Sequence, residues 1–438
     1  MLSREYDASA RAITARLAAA LTSGISDGAT VSDSEDPMYE QAIAEVASDP
    51  RLSALSRDEM EAAARFCVDD LFNLGPIESL LRDDDITEIM VNGPDQVLVE
   101  KRGKIVDSGV HFYDDEHIER IITKIVTTDN RRCDANAPMC DCRLRRPGAS
   151  FDGSRVNAVW KPIAVDHPLL DIRKFRNDML TIDSLIDMGS MDERCAEILQ
   201  ALVRSRMNII VCGGTGTGKT TLLNAISNFI PDDSRIITVE DTAELNLAKE
   251  HVVRMEARQP NTEGVGEITI RQLVKNTLRQ RPDRIVVGEC RGAEAFDMLQ
   301  AMGSGHDGSL TTLHANEPRQ AISRLQMCIQ MSPEGAQMPP SGILRIIADS
   351  VDFIVQIKRF PDGSRRLVSI SEICGMQGDV VTMGEIMRFA QDHERDESGR
   401  ITGRWVPGGD RFCESHLTRC ENLGVEVKDE WFRDTRRW

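Results

Sequence analysis

The chain has 438 residues, 41% of them hydrophobic, which is long for one domain and enough to build several packed cores. Asp and Glu total 71 against 53 Lys and Arg, and the resulting formal charge of -18 argues against sequence-independent nucleic-acid binding, since phosphate repulsion would have to be overcome locally. No apolar run approaches the roughly 18 residues of a spanning helix. Arg4, Glu5 and Asp7 stand where a signal core would begin, so a soluble, cytosolic protein with mostly structural, reduced thiols is expected.

In chain order, residues 1–36 predict a flexible extension, with an amphipathic helix over Ala8–Leu21 and a polar tether from Thr22 to Asp36. Apolar residues at helical spacing, among them Leu52, Leu55, Met60, Ala63, Phe66, Cys67 and Leu71, predict a helical module over 37–75 that ends at Gly75-Pro76. Short strands follow at Ile86–Val91, Val97–Glu100 and Lys104–Asp107, separated by Asn-Gly-Pro and Arg-Gly turns. With a helix near Ile118–Val126 and further strands at Asp141–Leu144, Arg155–Val159 and Leu170–Arg173, residues 76–178 form an α+β domain. Residues 179–375 then alternate strand and helix, with strands at Asn208–Cys212, Arg235–Val239, Val252–Met255, Arg284–Val287 and Ser309–Leu313. That order predicts a mostly parallel sheet covered on both faces, an α/β core. The charged, Gly-rich stretch 376–438 is expected to be a small appendage. Its Cys413 and Cys420 flank His416, and Cys140 lies next but one to Cys142, but neither set has the spacing of a convincing zinc site.

The strongest local signal is Gly213-Gly214-Thr215-Gly216-Thr217-Gly218-Lys219-Thr220-Thr221, a complete Walker A pattern between an apolar strand and a helix. Glycines let backbone N–H groups turn inward around phosphate oxygens, and the helix N-terminus adds partial positive charge. Lys219 is placed for the β- and γ-phosphates of ATP, and the Thr220 hydroxyl for Mg²⁺. Two apolar strands end in acids, Ile236–Val239 at Glu240-Asp241 and Ile285–Gly288 at Glu289. Strand ends are where ligands bind in such sheets, so one acid is expected to polarise water and the other to hold Mg²⁺ through its water shell. The Gly-rich segment from Gly303 to Asn316 supplies His306 and, at a strand end, His314, candidates for sensing the γ-phosphate.

Taken together, G-G-T-G-T-G-K-T-T-L-L-N, I-T-V-E-D-T-A-E-L, R-P-D-R-I-V-V-G-E-C-R-G-A-E-A and G-H-D-G-S-L-T-T-L-H-A-N resemble the secretion ATPase superfamily of type II and type IV secretion and type IV pili. Within it they look most like the CpaF/TadA branch, the motors of tight-adherence pili. The resemblance implies a RecA-like P-loop core, with Glu240 as the catalytic glutamate and Glu289 as the Walker B acid near Mg²⁺. It makes His306 and His314 the two His-box positions. It also implies a homohexamer in the cytoplasm, docked peripherally on inner-membrane platform proteins, with no direct nucleic-acid contact. Arginines of the preceding domain would close over the nucleotide: Arg155 and Arg173 first, then Arg143. The inserted Arg145-Arg-Pro-Gly-Ala-Ser-Phe151 puts the register of Arg143 against Arg155 in question, and it adds to a basic island containing Arg131, Arg132, Arg145 and Arg146. The alternative within the superfamily is a type IV secretion or conjugation ATPase. A small-molecule kinase is disfavoured by the His box, and a non-hydrolysing scaffold by the presence of both glutamates.

Overall fold

The computed structural model describes residues 4–26, 36–101, 103–175, 180–260, 264–397 and 399–434. It divides into two compact units, Met1–Asn177 and Asp178–Trp438. Among the described residues no helix is long and apolar enough to cross a membrane.

In the first unit, the helix Asp7–Ser26 belongs to the helical module and is not a loose extension. Ala10, Ile13 and Leu17 recur at helical spacing and are buried with Ala42, Val46, Ala63, Ala64 and Cys67 from the helices Asp36–Ser48 and Arg57–Phe72. The expected tether lies partly outside the described residues. Beyond this module, six antiparallel strands form a sheet: β1 (Ile86–Gly93), β2 (Gln96–Lys101), β3 (Lys104–Asp107), β4 (Met139–Arg143), β5 (Arg155–Val159) and β6 (Leu169–Arg173), in the order β3-β2-β1-β6-β5-β4. The helix Asp115–Thr128 covers it with Ile118, Ile121, Ile122 and Ile125, one apolar stripe started by the Asp114 cap.

The second unit is built on one nine-stranded sheet. Its strands are β7 (Ile209–Gly213), β8 (Ile236–Glu240), β9 (Val252–Glu256), β10 (Arg284–Cys290), β11 (Leu310–His314), β12 (Phe353–Arg359), β13 (Arg365–Gln377), β14 (Val380–Arg395) and β15 (Ile401–Pro407). The order β15-β14-β13-β12-β7-β11-β10-β8-β9 leaves β12 through β9 parallel and the last three strands antiparallel. β7 is flanked by β11 and β12, and the chain returns to β8 two strands farther out, the switch of direction at which open α/β sheets bind ligands. β7 and β8 are buried along their whole length, as strands covered on both faces must be. This is the mostly parallel α/β core that the alternating pattern predicts, and it is consistent with the RecA-like P-loop core that the resemblance implies.

The C-terminal residues are not a separate appendage. β13 and β14 extend the same sheet, and Phe412, Cys420 and Trp431 bury into the core that holds β7. Polar, exposed residues such as Gln391–Arg395 on β14 conceal a strand whose inner face carries Ile386, Met387 and Phe389. All eleven cysteines are free thiols.

Candidate active site

The phosphate loop joins β7 to the helix Lys219–Ser227. Gly218 caps that helix at φ +93° with no side-chain hydrogen bond, so the first N–H groups stay available to an anion. Gly213 is required for packing: a Cβ there would lie 2.4 Å from the Ile357 carbonyl of β12. Thr217 Oγ1 donates to the Gly214 carbonyl at 3.0 Å and braces the turn. Lys219 is largely buried and folds back so that Nζ donates to the Gly214 carbonyl at 2.9 Å.

His314 ends β11 directly beside Gly213, its register partner on β7. Its ring nitrogens lie 3.3 and 3.5 Å from Lys219 Nζ. The Nε2 nearer to Lys219 is also 2.7 Å from Glu289 Oε1, and Arg291 Nε donates to Glu289 Oε2 at 2.6 Å. Burial lowers the His314 pKa; Glu289 opposes that shift and the Lys219 ammonium adds to it. The lowered pKa favours the neutral ring, and Glu289 Oε1, though close to His314, makes no hydrogen bond in this arrangement. The structure thus brings Lys219, His314 and Glu289 into one chain, with Arg291 as the partner of Glu289.

Glu240 ends β8, which neighbours β10. It is almost fully buried, and its Oε2 accepts from the Glu244 and Leu245 N–H groups, both at 2.8 Å. Its Oε1 makes no hydrogen bond. Burial raises its pKa to about 7, against the lowering effect of the two backbone donors. Gly288 makes room for it, since a Cβ there would sit 2.9 Å from Glu240 Cγ. The Gly-Glu order at 288–289 therefore serves both acids.

His306 does not reach this site. It precedes β11, so the length of that strand, about 15 Å, separates it from His314. Its neighbourhood is the amino edge of the sheet: Ser309 Oγ donates to the His306 carbonyl at 2.7 Å, and Asn208 Oδ1 accepts from Gly308 N at 2.9 Å. Two histidines eight residues apart must lie at opposite ends when a parallel strand runs between them.

Arg143, Arg155 and Arg173 belong to the first unit. Arg155 is the register partner of both Arg143 on β4 and Arg173 on β6, so the three form a row across adjacent strands. Arg173 also faces Glu88 of β1, with Nε 3.7 Å from its carboxylate. The 145–151 insertion leaves that register intact, because Leu144 N donates to the Ser154 carbonyl and Gly153 N to the Leu144 carbonyl, both at 2.9 Å. The register sets three like charges abreast, with the Glu88 carboxylate beside Arg173. The basic island is otherwise consumed internally. Arg145 pairs with Asp129 at 2.8 Å, Arg146 with buried Glu78 at 2.7 Å, and Arg132 with Asp134.

Sequence reasoning missed the β12–β13 hairpin, which abuts the phosphate loop. Arg365 Nε donates to the Gly216 carbonyl at 2.9 Å, and a Cβ on Gly216 would lie 3.7 Å from an Arg359 guanidinium nitrogen. Gln356 of β12 donates to the Asn316 carbonyl, and the Asn316 side chain approaches Gly214. The signal was present in Phe353-Ile-Val-Gln-Ile357, an apolar run followed by a Pro361-Asp-Gly363 turn with arginines on both flanks.

A P-loop with two strand-end carboxylates, one raised to near-neutral pKa, is equipped for phosphoryl transfer from a nucleotide to water. The family model described as "Type II/IV secretion system protein" matches residues 70–385. The chain is 35% identical over 326 residues to a putative conjugal transfer protein, Rv3659c, of Mycobacterium tuberculosis, covering 74% of this chain and 92% of that one. It is 33% identical over 326 residues to a probable conjugal transfer protein TrbB of Sinorhizobium fredii, covering 74% and 90%. It is 29% identical over 336 residues to the type IV secretion system protein VirB11 of Brucella suis biovar 1, covering 70% and 91%. The chain belongs to the type II/IV secretion system protein family.

Proposed function

We propose that the chain is an ATPase that powers a type IV secretion or conjugation machine. The observation that carries the enzymatic part is the Lys219–His314–Glu289 chain over the phosphate loop, beside a buried Glu240. The transfer part is supported by the printed names of the relatives, conjugal transfer and type IV secretion proteins.

In this reading the backbone N–H groups of Gly214 to Thr220 hold the ATP phosphates, and Lys219 shifts from the Gly214 carbonyl to the β- and γ-oxygens. The oxygen donors of Thr220 and, through water, Glu289 suit Mg²⁺, which would neutralise phosphate charge. Glu240 takes a proton from the attacking water on Oε1, the oxygen without a hydrogen bond. His314 connects the γ-phosphate side of Lys219 to Glu289. Arg155, Arg173 and Arg143 stabilise transition-state charge. The ring is a cytoplasmic homohexamer that works on membrane-bound partners.

The tight-adherence pilus motor is the second reading, and the four motif segments support it. A strain carrying Lys219→Ala in place of the wild-type chain separates the two. Loss of DNA or protein transfer with surface pili intact favours the first; loss of pili alone overturns it in favour of the second. Light scattering of purified protein with a non-hydrolysable ATP analogue tests the ring, and a monomer with and without analogue would sink it.

A further inference from the structure

Far along the chain from the phosphate loop, β13 and the helix Glu414–Asn422 bring three side chains of metal-ligating type together. Glu372 lies on β13 with no exposed surface. Cys413 caps the helix, and His416 follows within its first turn. Cys413 Sγ is 3.3 Å from His416 Nδ1, and Glu372 Oε1 is 2.6 Å from the same nitrogen. One ligand atom from each of the three lies within 4.8 Å of the others.

The remaining ring nitrogen is also accounted for. His416 Nε2 is 3.0 Å from Asp352 Oδ1, and the other Asp352 oxygen accepts from Asn208 N at 2.7 Å and Arg419 Nη1 at 3.1 Å. A carboxylate that receives the distal N–H of an imidazole, and is itself held, is the usual support of a metal-bound histidine. We propose that Glu372, Cys413 and His416 bind one Zn²⁺, with Asp352 orienting the histidine.

The choice of zinc follows from a thiolate, an imidazole and a carboxylate in one set. In a tetrahedral zinc site, bonds of about 2.3 Å to sulfur and 2.0 Å to nitrogen put those two atoms roughly 3.5 Å apart, close to the separation here. An oxygen and a nitrogen ligand need roughly 3.3 Å, so the Glu372 oxygen retreats by roughly 0.7 Å on binding. Binding sends the Cys413 thiol proton and any proton on His416 Nδ1 to solvent. The fourth position falls to water. The ion staples the C-terminal helix to the ATPase sheet. Without it, the single Cys413 N–H, shared between both oxygens, the His416 imidazole and the Cys374 thiol satisfy Glu372.

The test uses the full chain, stripped with a chelator and titrated with Zn²⁺ against a chromophoric competitor. One ion per chain is expected, with Cys413→Ser weakening binding on the order of 100-fold and Asp352→Asn by roughly 10- to 100-fold. Wild-type protein that takes up no more Zn²⁺ than Cys413→Ser overturns the site. Should the variants fail to fold, Co²⁺ added to wild-type protein decides. A thiolate-to-cobalt charge-transfer band supports the site, and a spectrum of oxygen and nitrogen ligands alone overturns it.

Discussion

At the carboxyl edge of the parallel strands, Lys219, His314 and Glu289 meet above a helix N-terminus whose N–H groups have no cap. At the amino edge of the same strands stand Arg284, Arg206, Arg419 and His306, chemically just as well equipped. There, Arg284 is buried and donates to the Gly308 carbonyl at 3.2 Å, and Arg206 donates to the Asp283 carbonyl at 3.1 Å. Arg419 pairs with Asp307 and Asp352. Burial, then Arg206 and Arg419, lower the Arg284 pKa to about 10. One edge spends its cations on closing the strand connections, whereas the other keeps them beside backbone donors. Residue type does not separate the two edges; the direction of the strands does.

The sharpest way to break this comparison is Lys219→Ala, expected to reduce phosphate release to background. Glu240→Gln comes next, with a loss of roughly 10²- to 10⁴-fold, the range for a general base. Because burial raises the Glu240 pKa to about 7, wild-type turnover should climb as pH passes through 7 and level off above it. The same shift costs stability. Folding favours the neutral acid, so ionisation penalises the fold increasingly as pH rises from the ordinary value of 4.5 past about 7. The melting-temperature advantage of Glu240→Gln over wild type should therefore be larger at pH 8.5 than at pH 5.5; a constant difference would contradict the buried-acid description.

Smaller effects sharpen the account. Arg365→Ala removes a donor to the phosphate loop and should raise the KM for ATP by roughly three- to tenfold with kcat little changed. In the first unit, Arg146→Ala leaves buried Glu78 with Arg82 at 3.2 Å and the Leu74 N–H at 3.2 Å. It should destabilise that unit by about 1–3 kcal/mol in denaturant titration and leave the nucleotide affinity as it was.

Much of the site was legible because its chemistry is local. Gly213–Thr221 is one continuous segment, and Glu240, Glu289 and His314 each end an apolar run that reads as a strand. The His-box motif carries no direction: only β11, running between His306 and His314, shows that the two stand at opposite ends of that strand. Arg359 and Arg365 were missed because they come to the loop through sheet pairing, from more than 130 positions later in the chain. The C-terminal strands were hidden by polar residues on their outer faces, which alternate with buried Ile386, Met387 and Phe389 only in part. For the arginine row, the sequence names Arg143, Arg155 and Arg173, but their side-by-side register depends on the Leu144–Ser154 closure of the inserted loop.

The most direct test pairs one substitution at each edge, His314→Asn and His306→Asn, in the same steady-state phosphate-release assay with saturating ATP and Mg²⁺. The carboxyl-edge histidine should matter, with His314→Asn losing about 100-fold, and His306→Asn should stay within about twofold of wild type. Equal losses, or a larger loss at His306, would contradict the assignment of the chemistry to the carboxyl edge.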